Sequence, residues 1–208
     1  MAEQQKISLS VDGRTLEVPV GTLLIEACKS AGIEVPSFCY YPGLTLQAAC
    51  RMCLVEIERA PKLQTACTVL VQPGMVVRTS TPQVHEARKG MLEFLLTNHP
   101  LDCPVCDKGG ECELQDMTFR YGAATSRFVE IKEHEPEQRF SPVVYFDAPR
   151  CILCFRCVRV CDEAMDVKAL GVAQRGVRST IIPNRPDGSL QCEECGMCVD
   201  ICPVGALL

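Results

Sequence analysis

One histidine and three cysteines lie close together within residues 98–116, which read NHPLDCPVCDKGGECELQD. His99, Cys103, Cys106 and Cys112 are spaced H-x3-C-x2-C-x5-C, and prolines and glycines between them oppose a continuous helix. The chain can therefore wrap around a compact inorganic core. Thiolates together with one imidazole suit either zinc or an iron–sulfur cluster. This stretch by itself leaves both metals open.

Two similar cysteine runs, CILCFRCVRVC and CEECGMCVDICP, occur in the C-terminal part of the chain, and both follow C-x2-C-x2-C-x3-C. Bacterial ferredoxins with two clusters have this run, in which three cysteines bind one cubane and the fourth binds the other. The spacing therefore predicts two [4Fe–4S] sites with exchanged fourth ligands. The first site would be Cys151, Cys154, Cys157 and Cys202, and the second Cys161, Cys192, Cys195 and Cys198.

A fourth set of cysteines, separated by x10, x2 and x13, comes earlier in the chain: Cys39, Cys50, Cys53 and Cys67. Plant-type ferredoxins bind [2Fe–2S] with the spacing C-x4-C-x2-C…C, so the first loop is longer here. Scattered core cysteines would not place a C-x2-C in a loop with flanking partners. The set predicts a [2Fe–2S] site. Cys28, in contrast, shares a helical face with Leu24 and Ala31 and is predicted to pack in the core.

Periodicity and turn signals predict the elements that position these cysteines. Residues 6–19 alternate around Asp12-Gly13, which is typical of a type I′ hairpin. A helix follows, with Thr22 as its N-cap and Gly32 as its stop. Strands are expected at 52–58, 66–71 and 74–79. A second helix is expected to begin at Thr81-Pro82 and to end near Asn98, directly before the His–Cys array.

These elements indicate an α+β chain in three functional parts. We expect a β-grasp [2Fe–2S] ferredoxin-like domain over 1–80 and a small helical His–Cys [4Fe–4S] module over 81–120. A connector over 121–145 would lead to a bacterial-type double [4Fe–4S] ferredoxin-like domain over 146–208. The long spacer between Cys161 and Cys192 predicts an inserted hairpin, with a strand in RGVRSTIIPN and a turn near residues 186–188.

The number of ligands supports this division. Setting Cys28 aside leaves 15 of the 16 cysteines, and His99 makes 16 ligands, or four sets of four. One [2Fe–2S] and three [4Fe–4S] clusters would use all of them and contain about 14 irons. Zinc would leave the long cysteine runs unexplained, because structural zinc sites usually take two pairs. His85 and His134 have no cysteine neighbours and are expected to be solvated or satisfied locally.

Composition excludes several classes of protein. The N-terminus lacks a signal-peptide pattern, and no run approaches the roughly 18 apolar residues that span a bilayer. We therefore expect a cytoplasmic protein whose thiols bind metal rather than form disulfides. The net charge of −5 provides no general basic field, so nucleic acid is not an expected partner. Any membrane contact would be made through partner subunits.

The order of the Cys39 set, the NHPLDCPVCDKGGECELQD module and a double run ending in CPVGAL resembles one family, the N-terminal region of the large (75-kDa, or G-type) iron–sulfur subunit of complex I. The chain is also similar to the diaphorase iron–sulfur subunit of NAD-reducing hydrogenases and to NAD-linked formate dehydrogenases. Many complex I subunits have lost the second triplet, whereas Cys192, Cys195 and Cys198 are intact here. Large subunits also continue past CPVGAL, so either this chain is a separate relay subunit or a partner carries the remaining domain.

The resemblance implies an electron-relay subunit of an NADH:quinone oxidoreductase-type enzyme. FMN and NAD(H) would lie on a flavoprotein partner, which has its own small [2Fe–2S] partner, and a downstream subunit would accept the electrons. The sequence has no nucleotide-binding or catalytic motif of its own. A relay for formate dehydrogenase or hydrogenase, a zinc module, and a redox sensor or cluster carrier are the alternatives. Arg150, Arg156 and Arg159 either raise the potential of the neighbouring cluster or form a solvated helix face.

Overall fold

The computed structural model describes residues 5–132 and 134–208 and divides into two compact units. The first unit runs to Ser37 and resumes from Cys50 to Met91, and the second comprises Phe38–Ala49 and Leu92–Leu208. Within the described ranges, no helix is long and apolar enough to cross a membrane.

In the described part of the first unit, five strands form a mixed sheet with the order β2-β1-β5-β3-β4. The β1–β5 pair is parallel and the other pairs are antiparallel. Apolar side chains on one face of this sheet, including those of Leu9, Val11, Val55 and Val77, are fully buried. The strands are β1 (Lys6–Val11), β2 (Arg14–Pro19), β3 (Leu54–Ile57), β4 (Gln64–Thr65) and β5 (Val76–Arg78).

The predicted type I′ hairpin is confirmed. Asp12 and Gly13 both have positive φ angles, of 48° and 80°, and Val11 pairs with Arg14 across the two-residue loop. Helix α1 (Leu24–Ser30) then follows, but the prediction that Thr22 is its N-cap is wrong. The Thr22 hydroxyl donates to the carbonyl of Pro19 instead, because that acceptor lies within the preceding turn.

The prediction of a strand at 66–71 is also wrong. The segment forms turns, and only Leu70 makes an isolated bridge, to Leu23. Its carbonyls accept from the first amides of α1: Ala66 from Ile25, and Val69 from Leu24. Because the first amides of a helix have no partner within the helix, these external acceptors satisfy them in place of a strand ladder.

Helix α2 (Pro82–Leu96) begins as predicted, with the Thr81 hydroxyl accepting from the Val84 amide and proline at the first position. Arg88, on the buried face of this helix, is only 2 % exposed and donates to the carbonyls of Met52 and Leu54. These two residues adjoin Cys53. The buried guanidinium therefore fixes the backbone on which Cys53 lies.

The second unit is built from short elements around its cysteines. Strand pairs β6–β7 and β8–β9 are each antiparallel. The predicted insertion is present as the β8–β9 hairpin, although its second strand covers only the latter part of the predicted segment. The elements are α3 (Glu113–Tyr121), β6 (Gln138–Arg139), β7 (Tyr145–Phe146), α4 (Arg156–Arg159), β8 (Leu170–Ala173), β9 (Thr180–Pro183) and α5 (Met197–Asp200).

The C-terminal residues pair with the segment that precedes Cys151. Tyr145 and Leu208 exchange backbone hydrogen bonds of 2.9 and 3.1 Å, and the Asp147 amide donates to the carbonyl of Ala206. This pairing places the end of the second cysteine run beside the start of the first. It gives a structural reason for Cys202 to lie near Cys151.

The two cysteine runs adopt the same unusual backbone. Leu153 and Glu194, at equivalent positions, have φ angles of 51° and 53°, and Phe155 and Gly196 have φ angles of 59° and 75°. In each run the second left-handed residue precedes a short helix, α4 or α5. Alternating left-handed residues turn successive cysteines toward a common centre. The two runs therefore share their backbone conformation as well as their cysteine spacing.

The left-handed geometry at Gly196 leads to a stability prediction. A Cβ there would meet nothing within 4 Å, so Gly196→Ala costs only the left-handed strain, about 1 kcal/mol. We expect its apparent melting temperature, measured anaerobically by circular dichroism, to fall by about 2–4 °C. Gly171→Ala is the control, since Gly171 lies in β8 with no positive φ and its added Cβ would meet only Ile182, at 3.8 Å. Equal melting temperatures of Gly196→Ala and the parent would show that the left-handed conformation at Gly196 does not require glycine.

Candidate iron–sulfur cluster sites

The His–Cys array surrounds one cavity in the second unit. A 3₁₀ turn at Cys103–Val105 and the start of α3, where Cys112 is the N-cap residue, hold the thiols on its border. The cavity measures about 150 Å³. Its lining includes all four predicted ligands, His99, Cys103, Cys106 and Cys112.

The His99 side chain has the properties of a metal ligand. Its Nδ1 atom is buried and has no hydrogen-bond partner among the described residues. Burial lowers the pKa of His99, while the nearby Asp102 carboxylate acts in the opposite direction. The imidazole is therefore held in the neutral form, which is the form that binds metal. An orphaned nitrogen beside three cysteines fits a cluster that takes one imidazole ligand.

Two glycines keep this cavity open. A Cβ on Gly205 would lie 2.4 Å from Cys106 Sγ, and a Cβ on Gly109 would lie 2.7 Å from the Cys103 carbonyl oxygen. Both distances are shorter than real contacts of a Cβ atom. The chain therefore passes the array so closely that only glycine fits at these two positions.

The structure also brings together the ligands predicted for the double ferredoxin domain. Two narrow cavities, of about 10 and 30 Å³, each border one set. The first cavity is lined by Cys151, Cys154, Cys157 and Cys202, and the second by Cys161, Cys192, Cys195 and Cys198. The fourth cysteine of each run thus lies with the other run's triplet, as the exchanged arrangement requires. Among the described residues, no three His, Cys, Asp or Glu side chains are gathered to hold a single metal ion.

Burial favours the protonated form of several of these thiols. Burial raises the pKa of Cys151 to about 12 and those of Cys154 and Cys198 to about 11. Burial also raises the pKa of Cys112. Iron binds thiolate, so loading these sites would release protons.

Backbone amides donate to several of the sulfurs, including those of Cys151 and Cys161. The Leu153 amide lies 3.4 Å from Cys151 Sγ, and the Ala169 amide lies 3.2 Å from Cys161 Sγ. Cys161 itself lies in a π-helical turn, Val160–Ala164. Hydrogen bonds to ligand sulfur stabilise its negative charge and thereby raise a cluster's reduction potential.

The three arginines near the first run are buried, at 8 %, 5 % and 7 % exposure for Arg150, Arg156 and Arg159. The alternative of a solvated helix face is therefore excluded. Arg150 donates to the Asp102 carboxylate at 2.6 Å, and Arg156 makes two bonds to the Glu113 carboxylate, at 2.8 and 3.2 Å. The hydrogen bond from Arg150 lowers the pKa of Asp102.

Each of these ion pairs joins a neighbour of the His–Cys array to a neighbour of the first run. Asp102 precedes Cys103, and Arg150 precedes Cys151. Glu113 follows Cys112, and the amide of Glu113 also donates to the carbonyl of Pro203, which follows Cys202. Sequence analysis missed Asp102, Glu113 and Gly205. Adjacency to a cysteine could have identified Asp102 and Glu113, whereas Gly205 is three residues from Cys202 and has no such signal.

The predicted [2Fe–2S] ligands are distributed over both units. Cys39 belongs to the second unit, whereas Cys50, Cys53 and Cys67 belong to the first. All four side chains are buried. The Ser37 hydroxyl lies 3.7 Å from Cys50 Sγ, within hydrogen-bonding range of sulfur.

The residues that were not predicted to be ligands behave as expected. Cys28 is fully buried in α1, and burial raises its pKa to about 11, which is typical of an unreactive core thiol. His85 is exposed and bonds to the Ser80 hydroxyl at 2.8 Å, and His134 is exposed.

Comparison with known families accounts for most of the chain. Residues 4–82 match the 2Fe-2S iron-sulfur cluster binding domain, and residues 88–127 match the NADH-ubiquinone oxidoreductase-G iron-sulfur binding region. Residues 141–208 match the NADH-quinone oxidoreductase subunit 3 ferredoxin-like domain. Every predicted ligand falls within one of these three ranges.

Individual proteins match over nearly the whole chain. It is 49 % identical over 205 residues to a G-type NADH-quinone oxidoreductase subunit of Rhizobium meliloti, covering 97 % of this chain and 24 % of that protein. It is 44 % identical over 204 residues to the mitochondrial NADH-ubiquinone oxidoreductase 78 kDa subunit of Neurospora crassa, covering 97 % and 27 %. The chain thus spans about a quarter of the length of these curated relatives.

A solved structure of an NAD⁺-reducing [NiFe]-hydrogenase in the H₂-reduced state matches with a TM-score of 0.89 at 29 % identity, over 97 % of this chain and 86 % of that chain. The fold, the cysteine-lined cavities and the family matches together define a mixed α/β iron–sulfur protein with 2Fe-2S and 4Fe-4S ferredoxin-like domains. Nearly the whole chain is homologous to the large iron–sulfur subunit of NADH-quinone oxidoreductase, the 75 kDa or G-type component of complex I, of which it matches about a quarter.

Proposed function

We propose that this chain is the electron-relay subunit of a complex I-type NADH:quinone oxidoreductase. The observation that carries the proposal is the grouping of three predicted ligand sets, each around its own cavity, in a chain homologous to the large complex I iron–sulfur subunit. The clusters would accept and release one electron at a time. Its role would be oxidoreductase chemistry as part of an assembly, with the substrates bound by partner subunits.

The proposed cofactors are one [2Fe–2S] and three [4Fe–4S] clusters. The match over residues 4–82 and the burial of all four thiols support a [2Fe–2S] site at Cys39, Cys50, Cys53 and Cys67. We further propose a β-grasp fold for residues 1–80, which fits the mixed sheet and helix of that region. The remaining divisions would be a His–Cys module (81–120), a connector (121–145) and a double-cluster domain (146–208).

The chain's residues have three roles in this relay. Cysteines and His99 hold the clusters, amides such as that of Leu153 bond to the ligand sulfurs, and buried arginines set the local charge. Electrons would come from a partner flavoprotein that carries FMN and NAD(H), accompanied by its small [2Fe–2S] subunit. A quinone-reducing partner would receive them. Contact with a membrane would be made through such partners.

One observation favours a second candidate, a relay subunit of an NAD-reducing hydrogenase. The solved hydrogenase chain shares the fold over 97 % of this chain, with a TM-score of 0.89. The second cysteine triplet is also intact, with Cys192, Cys195 and Cys198 at one cavity. A formate dehydrogenase relay differs from these only in its terminal partner.

The test is anaerobic affinity purification of this chain from its own cells, with mass spectrometry of every co-purifying protein. An NADH-oxidising flavoprotein together with quinone-reducing membrane subunits is the expected result. Recovery of the same flavoprotein with a nickel–iron or formate-oxidising subunit would support the relay function but would assign a different partner in place of the quinone-reducing subunits. Recovery of the chain alone, with labile clusters, would favour the sensor or cluster-carrier alternative. A colourless, zinc-containing protein would refute the iron–sulfur assignment.

Replacing the imidazole ligand is expected to change one potential selectively. A His99→Cys variant adds a negative thiolate to that cluster, so we expect its midpoint potential to shift negative by on the order of 100 mV. An EPR-monitored redox titration measures the shift. The control is His85→Gln, which changes an exposed histidine far from the cysteine runs in sequence and should leave all potentials unaltered. An unchanged or more positive potential in His99→Cys would contradict the ligand assignment.

A further inference from the structure

Arg159 lies in α4, two residues after Cys157, and is almost completely buried. Its guanidinium donates to four backbone carbonyls. One terminal nitrogen donates to the carbonyls of both Cys39 and Cys154, the latter at 3.4 Å. The other terminal nitrogen donates to the Thr45 carbonyl, and Nε donates to that of Phe155 at 3.3 Å. Two of the four acceptors thus belong to cysteines assigned to different clusters.

We propose that Arg159 is a positioning residue that couples the [2Fe–2S] cluster, through the backbone of its ligand Cys39, to the [4Fe–4S] cluster that Cys154 would bind. A single nitrogen joins the backbone of Cys39, a proposed [2Fe–2S] ligand, to that of Cys154, a proposed [4Fe–4S] ligand. The inference rests on the proposed function, because it needs both ligand assignments. It adds a specific residue, and a specific hydrogen-bonded link, to the relay.

The chemistry of the guanidinium suits this role. Its planar fork offers five N–H donors in fixed directions, which lets one side chain satisfy several carbonyls at once. All four acceptors are neutral carbonyl oxygens, so the bonds leave the positive charge in place. A buried positive charge favours the more negative, reduced state of a nearby cluster, because interactions are strong in a low-dielectric interior. Arg159 would therefore raise the potentials of both clusters.

The electron step requires no chemistry on the arginine itself. One electron leaves one cluster and enters the other, so one cluster is oxidised as the other is reduced. No covalent bond forms or breaks, and Arg159 keeps its protons. The side chain provides two hydrogen bonds between the ligand-bearing backbones and holds them at a constant separation.

A neighbouring residue provides a matched control. Glu163 accepts from the Thr45 amide at 2.7 Å and from the Thr45 hydroxyl, so Arg159 and Glu163 both anchor the segment Phe38–Ala49 at Thr45. Glu163 is exposed, accepts hydrogen bonds from Thr45 and interacts electrostatically with Arg159, but it has no described hydrogen bond to the backbone of Cys39 or Cys154. Changing Glu163 weakens the anchor and leaves the cysteine link intact.

The experiment compares Arg159→Met, Arg159→Lys and Glu163→Gln in the assembled complex, prepared anaerobically. Iron content and EPR spectra report assembly, redox titration reports the two potentials, and rapid freeze-quench EPR reports electron equilibration between the clusters. We expect Arg159→Met to lower both potentials and to slow equilibration by about 10-fold, the lower end of the loss in activity that follows removal of outer-shell contacts at metal sites. Arg159→Lys keeps the charge and should retain the potentials, yet it should slow equilibration because an ammonium lacks the planar fork. Glu163→Gln should keep the parental equilibration rate, because the hydrogen bonds of Arg159 to Cys39 and Cys154 remain.

Several results would overturn the proposal. Parental potentials and rates in Arg159→Met would exclude both the charge effect and the link. A slowing in Glu163→Gln equal to that in Arg159→Met would assign the effect to segment anchoring. If Arg159→Met fails to assemble, the test rests on Arg159→Lys. A parental rate of electron equilibration in Arg159→Lys would exclude the hydrogen-bonded link between Cys39 and Cys154. A parent complex without a [2Fe–2S] signal would instead refute the cluster assignment of the proposed function, which is a separate failure.

Discussion

Gly205→Ala is expected to abolish the cluster bound by the His–Cys array while the other three remain. The added Cβ would lie 2.4 Å from Cys106 Sγ and 3.4 Å from Lys108 Cβ. The sulfur can escape only by rotating away from the cavity that it borders with His99. If the loss of this ligand releases the whole cubane, the iron content falls from the proposed total of about 14 to about 10 per chain.

Iron analysis and EPR of the anaerobically purified complex measure this loss. Gly90→Ala is the matched control, because a Cβ at Gly90 in α2 meets nothing within 4 Å and the residue has no positive φ. Alanine favours a helix by about 1 kcal/mol over glycine, so this control should fold at least as well as the parent. Full iron content and an unchanged EPR spectrum in Gly205→Ala would show that the close approach at Cys106 has no consequence for the cluster.

The second large effect concerns the exchanged ligands of the double ferredoxin domain. If Cys202 and Cys154 bind the same cluster, replacing both with alanine removes only that cluster and leaves about 10 irons. Replacing Cys202 and Cys195 removes two clusters and leaves about 6 irons. These expectations follow from the cavity that Cys202 shares with Cys154 and from the separate cavity at Cys195.

A reversed pattern, with about 6 irons in Cys202→Ala/Cys154→Ala and about 10 in Cys202→Ala/Cys195→Ala, would indicate that each run binds its own cluster. The Cys28→Ala variant controls for the loss of a buried thiol, since Cys28 is a core residue of α1. It should keep all irons. EPR spectra of the same samples identify which cluster is lost, independently of the iron count.

Within the second unit, the surroundings of two proposed cluster sites are connected by ion pairs. Two ion pairs, Arg150–Asp102 and Arg156–Glu113, connect residues beside the His–Cys array to residues beside the first cysteine run. Breaking one partner of a pair whose arginine is buried leaves an uncompensated charge in the interior, which is costly. Substitutions at these carboxylates should therefore affect both neighbouring sites, whereas Gly205→Ala should affect one.

Local chemistry in the sequence determined a large part of this protein. The four ligand sets could be proposed from spacing alone, because a cluster needs thiolates at short, fixed separations along the chain. The turn at Asp12-Gly13 and the start of α2 at Thr81 were also predictable, because a type I′ turn and a helix cap depend on a few adjacent residues. Cys28 was separated from the ligands by helical periodicity.

Only the tertiary structure decided the features that depend on contacts between distant segments. Residues 66–71 have a strand-like composition, but their carbonyls are used by the amides of α1. Arg159 could have been solvated or buried, and its partners Cys39 and Thr45 lie more than a hundred residues away. Nothing in the sequence indicates that Gly205 lies beside Cys106. Burial, charge compensation and close approach arise from folding in three dimensions, so residue types and local spacing cannot specify them.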